Sequence, residues 1–297
     1  MSVKISSSPN PLVVNLGSIS SLEASLNYLA PMAERPYTYT YAYTYTYAPG
    51  EGIAANNVVY ESHAVSIENG RSHLRDLSLD QQGFTLLSYH SRVHNFYDET
   101  EIREVYYPEA QQLVKEAIGT AKVLVFDHNL RNALQVNQGK KGIREPVKRV
   151  HNDFTAMSGY RRSRAELAAI GIDNPEELLR YRFSIVNVWR PIDHPVQESP
   201  LAVCDARSIA PIDWVASDLI YRDRVGETYL TTYNSAHRWF YFPDMQPDEA
   251  LLIKCFDSAE NNPARFTAHT AFDDPTSLPD AQPRASIELR TLVFYDE

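Results

Sequence analysis

The chain has 297 residues, 43% of them hydrophobic and 22% charged, values of an ordinary globular protein rather than a disordered or fibrous one. Its net charge of -10 is spread along the sequence and argues against a nucleic-acid partner, which calls for a basic face. With no signal-peptide core, no apolar run near the roughly 18 residues of a membrane span, and only Cys204 and Cys255, a soluble cytoplasmic protein without disulfides is expected.

Residues 1–35 are polar and rich in Ser, Pro and Asn, with a short helix expected around Ser21–Leu29. Tyr37 to Tyr47 then reads YTYTYAYTYTY, with Tyr at every odd position. Alternation of β-formers predicts a strand, here with its phenol rings on one face. The functional reading is an aromatic wall or the edge of a homodimer. The plainer reading, a locally expanded repeat on an N-terminal strand or arm, is preferred because such a composition carries no site geometry.

From residue 56 to about residue 87, two strands around Asn69-Gly70 read as a hairpin or tight turn. Pro108 opens a helix with an apolar stripe of Leu113, Val114, Ala117 and Ile118, stopped by Gly119. Residues 122–126 (KVLVF) read as a buried strand with Asp127 to Arg131 at its end, and the polar run 135–142 as a surface loop. Ser163-x-x-Glu166 is a capping-box pattern starting a helix that Gly171 closes. Asn174-Pro175-Glu176-Glu177 starts another, with the early acids a helix dipole favours.

From Phe183 the chain turns to β: FSIVNVWRPI, PLAVCDARSI, a short helix near residues 213–220, then ETYLTTYN, HRWFYF, EALLIKCFD, ARFTAHTAF and ASIELRTLVFY. Strands separated by Pro, Asp and Asn turns, with helices gathered earlier, predict a mainly β fold with flanking helices on a barrel or double-sheet jelly roll. There is no β-α-β alternation and no Gly-rich phosphate loop, which disfavours a nucleotide-binding fold. No linker divides the sequence, so residues 1–297 are expected to form one domain, with 1–55 as an extension and the barrel core at about 122–297.

His151 and Asp153 stand two apart in Arg149-Val150-His151-Asn152-Asp153-Phe154. On a strand, residues i and i+2 share a face, so an imidazole nitrogen and a carboxylate oxygen can sit side by side on one metal ion. A distant second His would complete the two-His, one-carboxylate triad that leaves three positions open on Fe(II) for cosubstrate and O2. His237 and His269 are the candidates. His237 runs straight into Arg238-Trp239-Phe240-Tyr241-Phe242, a bulky stretch that reads as packing, so His269 is preferred.

On the terminal strand, Arg284, Ser286, Glu288 and Arg290 share one face. If that face looks into the barrel, Arg284 and Ser286 form an Arg-x-Ser pair whose guanidinium fork and hydroxyl suit the distal carboxylate of a dicarboxylic keto acid. Arg290 is an alternative for that role, and Glu288 paired with either Arg would make a purely structural network. For a substrate, the candidates near the barrel mouth are Asn187 and Trp189 on one strand face, Arg190 at the end of that strand, and His128 and Arg131 in the loop after residues 122–126. Packing and supporting hydrogen bonds explain these five equally well.

The stretches DQQGFTLL, VLVFDHNLR, RVHNDFT, VNVWRPIDHPVQESPLAVCDARSI, HRWFYFPDMQPDEALLIKCFDS, HTAFDDP and PRASIELRTLVFYDE, in that order, span roughly residues 80 to 297. They resemble the fungal and bacterial family of gibberellin-desaturase-like and AsaB-like hydroxylases/desaturases, which includes CmcJ-like cephalosporin tailoring proteins. The resemblance implies a double-stranded β-helix of the Fe(II)/2-oxoglutarate oxygenases, with His151, Asp153 and His269 on the metal and Arg284 with Ser286 on 2-oxoglutarate. It implies Fe(II), 2-oxoglutarate and O2 as reactants, and hydroxylation, desaturation or ring closure of a small molecule of secondary metabolism. The step from His269 to Arg284 is similar to the arrangement of penicillin-expandase-like oxygenases; the Tyr/Thr repeat lies outside the resemblance. Two rivals use the same barrel: a metal-dependent hydrolase or isomerase, against which the Arg-x-Ser pair argues, and a non-catalytic partner subunit, against which the complete ligand set argues.

Overall fold

The computed structural model describes residues 20–39, 54–119, 121–140 and 142–295. Their strands, numbered β1 to β15 in chain order, make two sheets. The nine-stranded sheet runs β1 (Ser21–Leu29), β3 (Tyr60–Asn69), β12 (Trp239–Tyr241), β9 (Leu201–Cys204), β14 (His269–Ala271), β7 (His151–Asn152), β11 (Val225–Thr231), β10 (Trp214–Ile220) and β2 (Tyr37–Tyr39). The six-stranded sheet runs β4 (Phe84–Ser88), β13 (Glu249–Asp257), β8 (Phe183–Pro191), β15 (Ala285–Tyr295), β5 (Ala121–Asn132) and β6 (Ile143–Arg144). From β7 onward the chain crosses between sheets at β7–β8–β9 and again at β12–β13–β14–β15, the jelly-roll path expected for the later part of the sequence.

The strand period of two sorts the side chains into layers. On β8, Phe183, Ile185 and Trp189 enter the cluster between the sheets, where they meet Leu201 and Val203 of β9 and Phe240 of β12. Val186 and Val188 take the other face, beneath the helix Tyr107–Ile118. That helix buries Ala110, Leu113 and Val114, an i, i+3, i+4 stripe. Fully burying side chains such as Leu113 and Val114 contributes about 1.5–3 kcal/mol each. Pro108 stands in its first turn, and Gly119, at φ +107°, ends it. β15 repeats the division: Ala285, Ile287, Leu289 and Val293 face the helix, while Leu292 and Phe294 face the other sheet. The even-numbered face that carries Ser286, Glu288 and Arg290 is therefore the interior one.

Several local expectations are corrected. Ser21–Leu29 is a strand, not a helix, paired along its whole length with β3; Leu22, Ala24, Leu26 and Tyr28 are buried in strict alternation. The short helix expected near residues 213–220 is not one: after a single 3₁₀ turn at Pro211–Asp213, Trp214–Ile220 pairs with β11 as a strand. Asn69 does turn the chain, accepting from Arg71 N at 3.0 Å, but β3 and β4 belong to different sheets and form no hairpin. A Cβ on Gly70 would come within 2.6 Å of the Phe242 ring, so the close approach there requires Gly. The helix expected from Ser163 begins at Ala156, capped by Thr155 and Ser158, and Ser163 lies within it.

β5 does not end at Phe126 but continues to Asn132, so His128 and Arg131 are strand residues and not loop residues. Its pairing with β15 steps from Val125↔Thr291 to Asp127↔Arg290, leaving Phe126 as the extra residue of a bulge. Of the Tyr/Thr repeat, Tyr37–Tyr39 pairs in parallel with β10; its remainder lies outside the described residues. Among the described residues no helix is long and apolar enough to cross a membrane.

Candidate metal centre

β7 is two residues long and sits between β14 and β11, with His151 directly opposite His269. The strand stops because the chain turns at once into the helix Ala156–Ala169, whose N-cap Thr155 accepts from Ser158 N and donates its own N–H to Ser158 Oγ. Asp153 is thus fixed at a strand-to-helix junction, two residues after His151. The ligand atoms of His151, Asp153 and His269 all lie within 4.8 Å of one another, with His151 Nε2 at 3.6 Å from Asp153 Oδ1. Asn152, between the two, donates instead to Phe154 O at 2.6 Å and to Cys255 O of β13 at 2.8 Å, tying the two sheets together.

The two imidazoles are held in the tautomer a metal needs. His151 Nδ1 lies 2.8 Å from Arg149 O, and His269 Nδ1 lies 3.0 Å from Thr267 O. A carbonyl can only accept, so each Nδ1 carries the proton and each Nε2 keeps its lone pair for a metal. Burial first, and then the neighbouring His269, hold His151 well below its ordinary pKa and so neutral. For Asp153, burial pushes upward, but the Arg290 charge, the two histidines and the Asn187 bond overcome it and keep the carboxyl ionised.

Arg290 and Asn187 both grip Asp153 Oδ2, the oxygen other than the one nearest His151. Asn187 Nδ2 donates at 2.9 Å and Arg290 Nε at 3.0 Å, with Arg290 Nη2 at 2.9 Å. Arg290 also bonds Asp127 Oδ2 at 3.2 Å and Glu288 Oε1 at 3.0 Å. Its fork is therefore filled by three carboxylates. Asp127 is not among the site residues expected from sequence, because the Phe126 bulge lets two successive residues contact the interior, which a regular alternation does not foretell.

Beside the imidazoles lies a narrow cavity of about 20 Å³, lined by Arg131, Trp189, Arg284 and Glu288 as well as His151 and His269. Arg284 Nη1 donates to Ser199 O at 2.6 Å, and its guanidinium carbon lies 5.4 Å from the centre of the Trp189 ring. Arg284 Nε and Ser286 Oγ are buried without a hydrogen-bond partner. Buried donors of this kind cost free energy unless an acceptor reaches them.

The remaining predicted residues are dispersed. His128 faces away from the imidazoles, bonded to the Tyr107 hydroxyl at 2.8 Å and near Glu99 at 3.3 Å. It lines a cleft of about 760 Å³ together with Tyr97, Glu99, Arg103, Phe126 and Asp127. Arg190 is on the opposite face of β8 from Trp189, donating to Tyr89 O and Pro247 O and lying against Phe96 and Tyr106, so it does not reach the cavity. The strand period that puts Trp189 inside puts its neighbour outside.

His237 joins neither ligand, bonding Asp213 Oδ2 at 3.1 Å and the Tyr28 hydroxyl at 3.2 Å and stacking on the Tyr28 ring. Burial pulls its pKa below the ordinary value against the pull of Asp213. The unfolded chain, titrating near 6.5, then binds more protons at this position, so the contribution of His237 is full above that pH and is lost as pH falls from there through the lower folded value. The urea midpoint of the wild type is expected to drop more than that of His237→Gln between about pH 7.5 and about pH 5.5. Equal slopes would remove His237 as a source of acid sensitivity.

Comparison with known proteins agrees with this geometry. A family model described as an oxidoreductase/YMDC permease-like domain matches residues 26–294. The chain is 31% identical over 265 residues to the hydroxylase/desaturase CTB9 of Cercospora beticola, covering 80% of this chain and 78% of that protein. It is 29% identical over 272 residues to the hydroxylase/desaturase efuI of Hormonema carpetanum, covering 82% and 88%. To the alpha-ketoglutarate-dependent dioxygenase phiK of a fungus it is 30% identical over 240 residues, covering 77% and 84%. A solved structure of the iron and alpha-ketoglutarate-dependent endoperoxidase NvfI matches with a TM-score of 0.82 at 27% identity, covering 94% of this chain and 100% of that one.

Proposed function

Because the chain belongs to the oxidoreductase/YMDC permease-like domain family and is an iron- and 2-oxoglutarate-dependent dioxygenase akin to fungal hydroxylases/desaturases, we propose that its active site is the cluster of His151, Asp153 and His269 with the Arg284 cavity beside it. The single observation that carries this reading is that cluster: two buried imidazoles, each bonded through Nδ1 to a carbonyl, and a half-buried ionised carboxylate, within reach of one ion. That donor set suits Fe(II) with positions left open. The unpartnered Arg284 Nε and Ser286 Oγ support a place for the distal carboxylate of 2-oxoglutarate. They count against a metal hydrolase on the same barrel, which has no use for such a pair. Arg290, filled by three carboxylates, supports a role in orienting Asp153 rather than in holding the cosubstrate.

When bound, iron and 2-oxoglutarate together activate O2 to oxidise an unactivated C–H bond, the keto acid leaving as succinate and CO2. The protein holds the two imidazoles in one tautomer, fixes the carboxylate through Arg290 and Asn187, and walls the cavity with Trp189, Leu201 and Ala271 so that water is kept from the reacting centre. We assign the reaction to a small molecule of secondary metabolism, in the cytoplasm. The test is the purified protein with Fe(II) and 2-oxoglutarate in air. O2-dependent succinate formation is expected, lost when Zn(II) replaces iron; an iron-loaded protein that forms none above a 2-oxoglutarate-free control would sink the reading.

A further inference from the structure

One arginine takes three carboxylates, Asp127 of β5, Glu288 of β15 and Asp153 just after β7. Asp153, Asp127 and Glu288 each bond Arg290. Arg131 and Arg284, by contrast, make no ion pair among the described residues; Arg131 Nη1 donates to Glu145 O at 2.8 Å, and Arg284 Nη1 to Ser199 O. Both line the cavity that holds His151 and His269. Burial first, and the charge of Arg131 second, pull Arg284 down to about 9, with Glu288 and Glu198 opposing. Two cations beside one buried cavity, lacking carboxylate partners of their own, describe an anion site awaiting its anion.

The register says where that anion sits. Arg131 is directly opposite Ser286 in the antiparallel β5–β15 pair. Arg284 stands one residue before β15 begins and two before Ser286, and it lines the same cavity as Arg131. We propose that Arg131 is a second cationic ligand for the distal carboxylate of the cosubstrate, completing with Arg284 and Ser286 a clamp that encloses it from two strands; this rests on the reading of Arg284 given above. Charge supports it. Arg131, Arg284 and Arg290 balance Asp127, Asp153 and Glu288, and a divalent metal with a dicarboxylate dianion leaves that balance at zero, as a water-poor site requires.

The experiment is anaerobic calorimetry of 2-oxoglutarate and of 2-oxobutyrate, which lacks the distal carboxylate, binding to the Fe(II)-loaded wild type, Arg131→Met and Arg131→Lys. The Met variant is expected to weaken 2-oxoglutarate by about tenfold or more, the Lys variant by less, and neither to change 2-oxobutyrate beyond about twofold. The metal-free Arg131→Met protein is expected to melt no lower than the wild type, since a like-charge repulsion has been removed. A purely structural Arg131 would lower the melting temperature and leave the affinity alone. A 2-oxoglutarate Kd within about twofold of the wild type in the Met variant overturns the clamp whatever the melting temperature. Equal weakening of both keto acids overturns it too, by placing Arg131 at the other end of the molecule. Should Arg131→Met not fold, the Lys variant decides by the same comparison. A wild type that binds iron but no 2-oxoglutarate overturns the functional reading and the clamp with it.

Discussion

Arg290→Met is expected to weaken Fe(II) binding by about ten- to a hundredfold, the range for losing a side chain that orients a metal ligand. Arg290 supplies two of the three bonds to Asp153 Oδ2, and its charge overcomes the upward pull of burial on that carboxyl. Without it, Asp153 keeps only Asn187 as a partner on that oxygen and competes with protons before it can bind a metal. The fold is expected to suffer as well, by about 3–5 kcal/mol, because buried Glu288 and half-buried Asp153 are left without their counter-charge. Arg284→Met is the contrasting variant. It touches no ligand of the cluster, so iron affinity is expected to stay within about twofold while 2-oxoglutarate binding falls by about thirtyfold or more. Anaerobic calorimetry with Fe(II) and then 2-oxoglutarate separates the two arginines. Wild-type iron affinity in Arg290→Met would mean that Asn187 alone positions Asp153, and normal 2-oxoglutarate binding in Arg284→Met would return the cosubstrate role to Arg290.

The contrast also marks how far the sequence can be read. Arg284 and Arg290 look alike on one strand face, and both are candidates for the same carboxylate. What separates them is the neighbouring strand: the bulge at Phe126 brings Asp127 opposite Arg290, and β8 brings Asn187 into line with it. Neither pairing is written in β15 itself. The His151/Asp153 pair is legible because both ligands stand on one short stretch with the spacing of a strand. The preference for His269 rests on the bulky aromatic run after His237, and the structure puts a physical reason behind it: His237 is bonded on both ring nitrogens, to Asp213 and Tyr28.

The fold errors have a common source. In Ser21–Leu29 the Leu, Ala and Glu residues serve a helix well, and in residues 213–220 Asp213 is a helix-capping residue ahead of Ala216 and Leu219. Pairing partners that lie far along the chain, Tyr60–Asn69 for the first and Val225–Thr231 for the second, override that local preference. The alternation of Leu22, Ala24, Leu26 and Tyr28 is nonetheless visible in the sequence. Arg190 shows the opposite case, where parity with Trp189 alone is enough to place it outside the cavity.

Lys254→Met is expected to destabilise the fold by about 3–5 kcal/mol without altering iron or 2-oxoglutarate affinity. Lys254 and Asp257, both on β13, are wholly buried, with Lys254 Nζ at 2.9 Å from Asp257 Oδ2 and 2.5 Å from Asp80 Oδ1. Arg182 closes the network, donating to both acids at 2.8 Å and 2.6 Å and lying 4.0 Å from the centre of the Tyr295 ring. The cluster stands at the register shift between Lys254 and Phe256, on the face of β13 turned away from the metal ligands. Met fills the volume of the Lys stem but removes the charge, so the loss reads electrostatics rather than packing. Asp80 is half exposed and recovers water, whereas Asp257 is not and cannot. Lys254→Met with Asp257→Asn is therefore expected to be more stable than the sum of the single losses predicts, by about 1–3 kcal/mol in a double-mutant cycle read from urea unfolding. A single-variant loss below about 1 kcal/mol would show that Arg182 alone neutralises Asp257, and that the lysine is dispensable to the barrel.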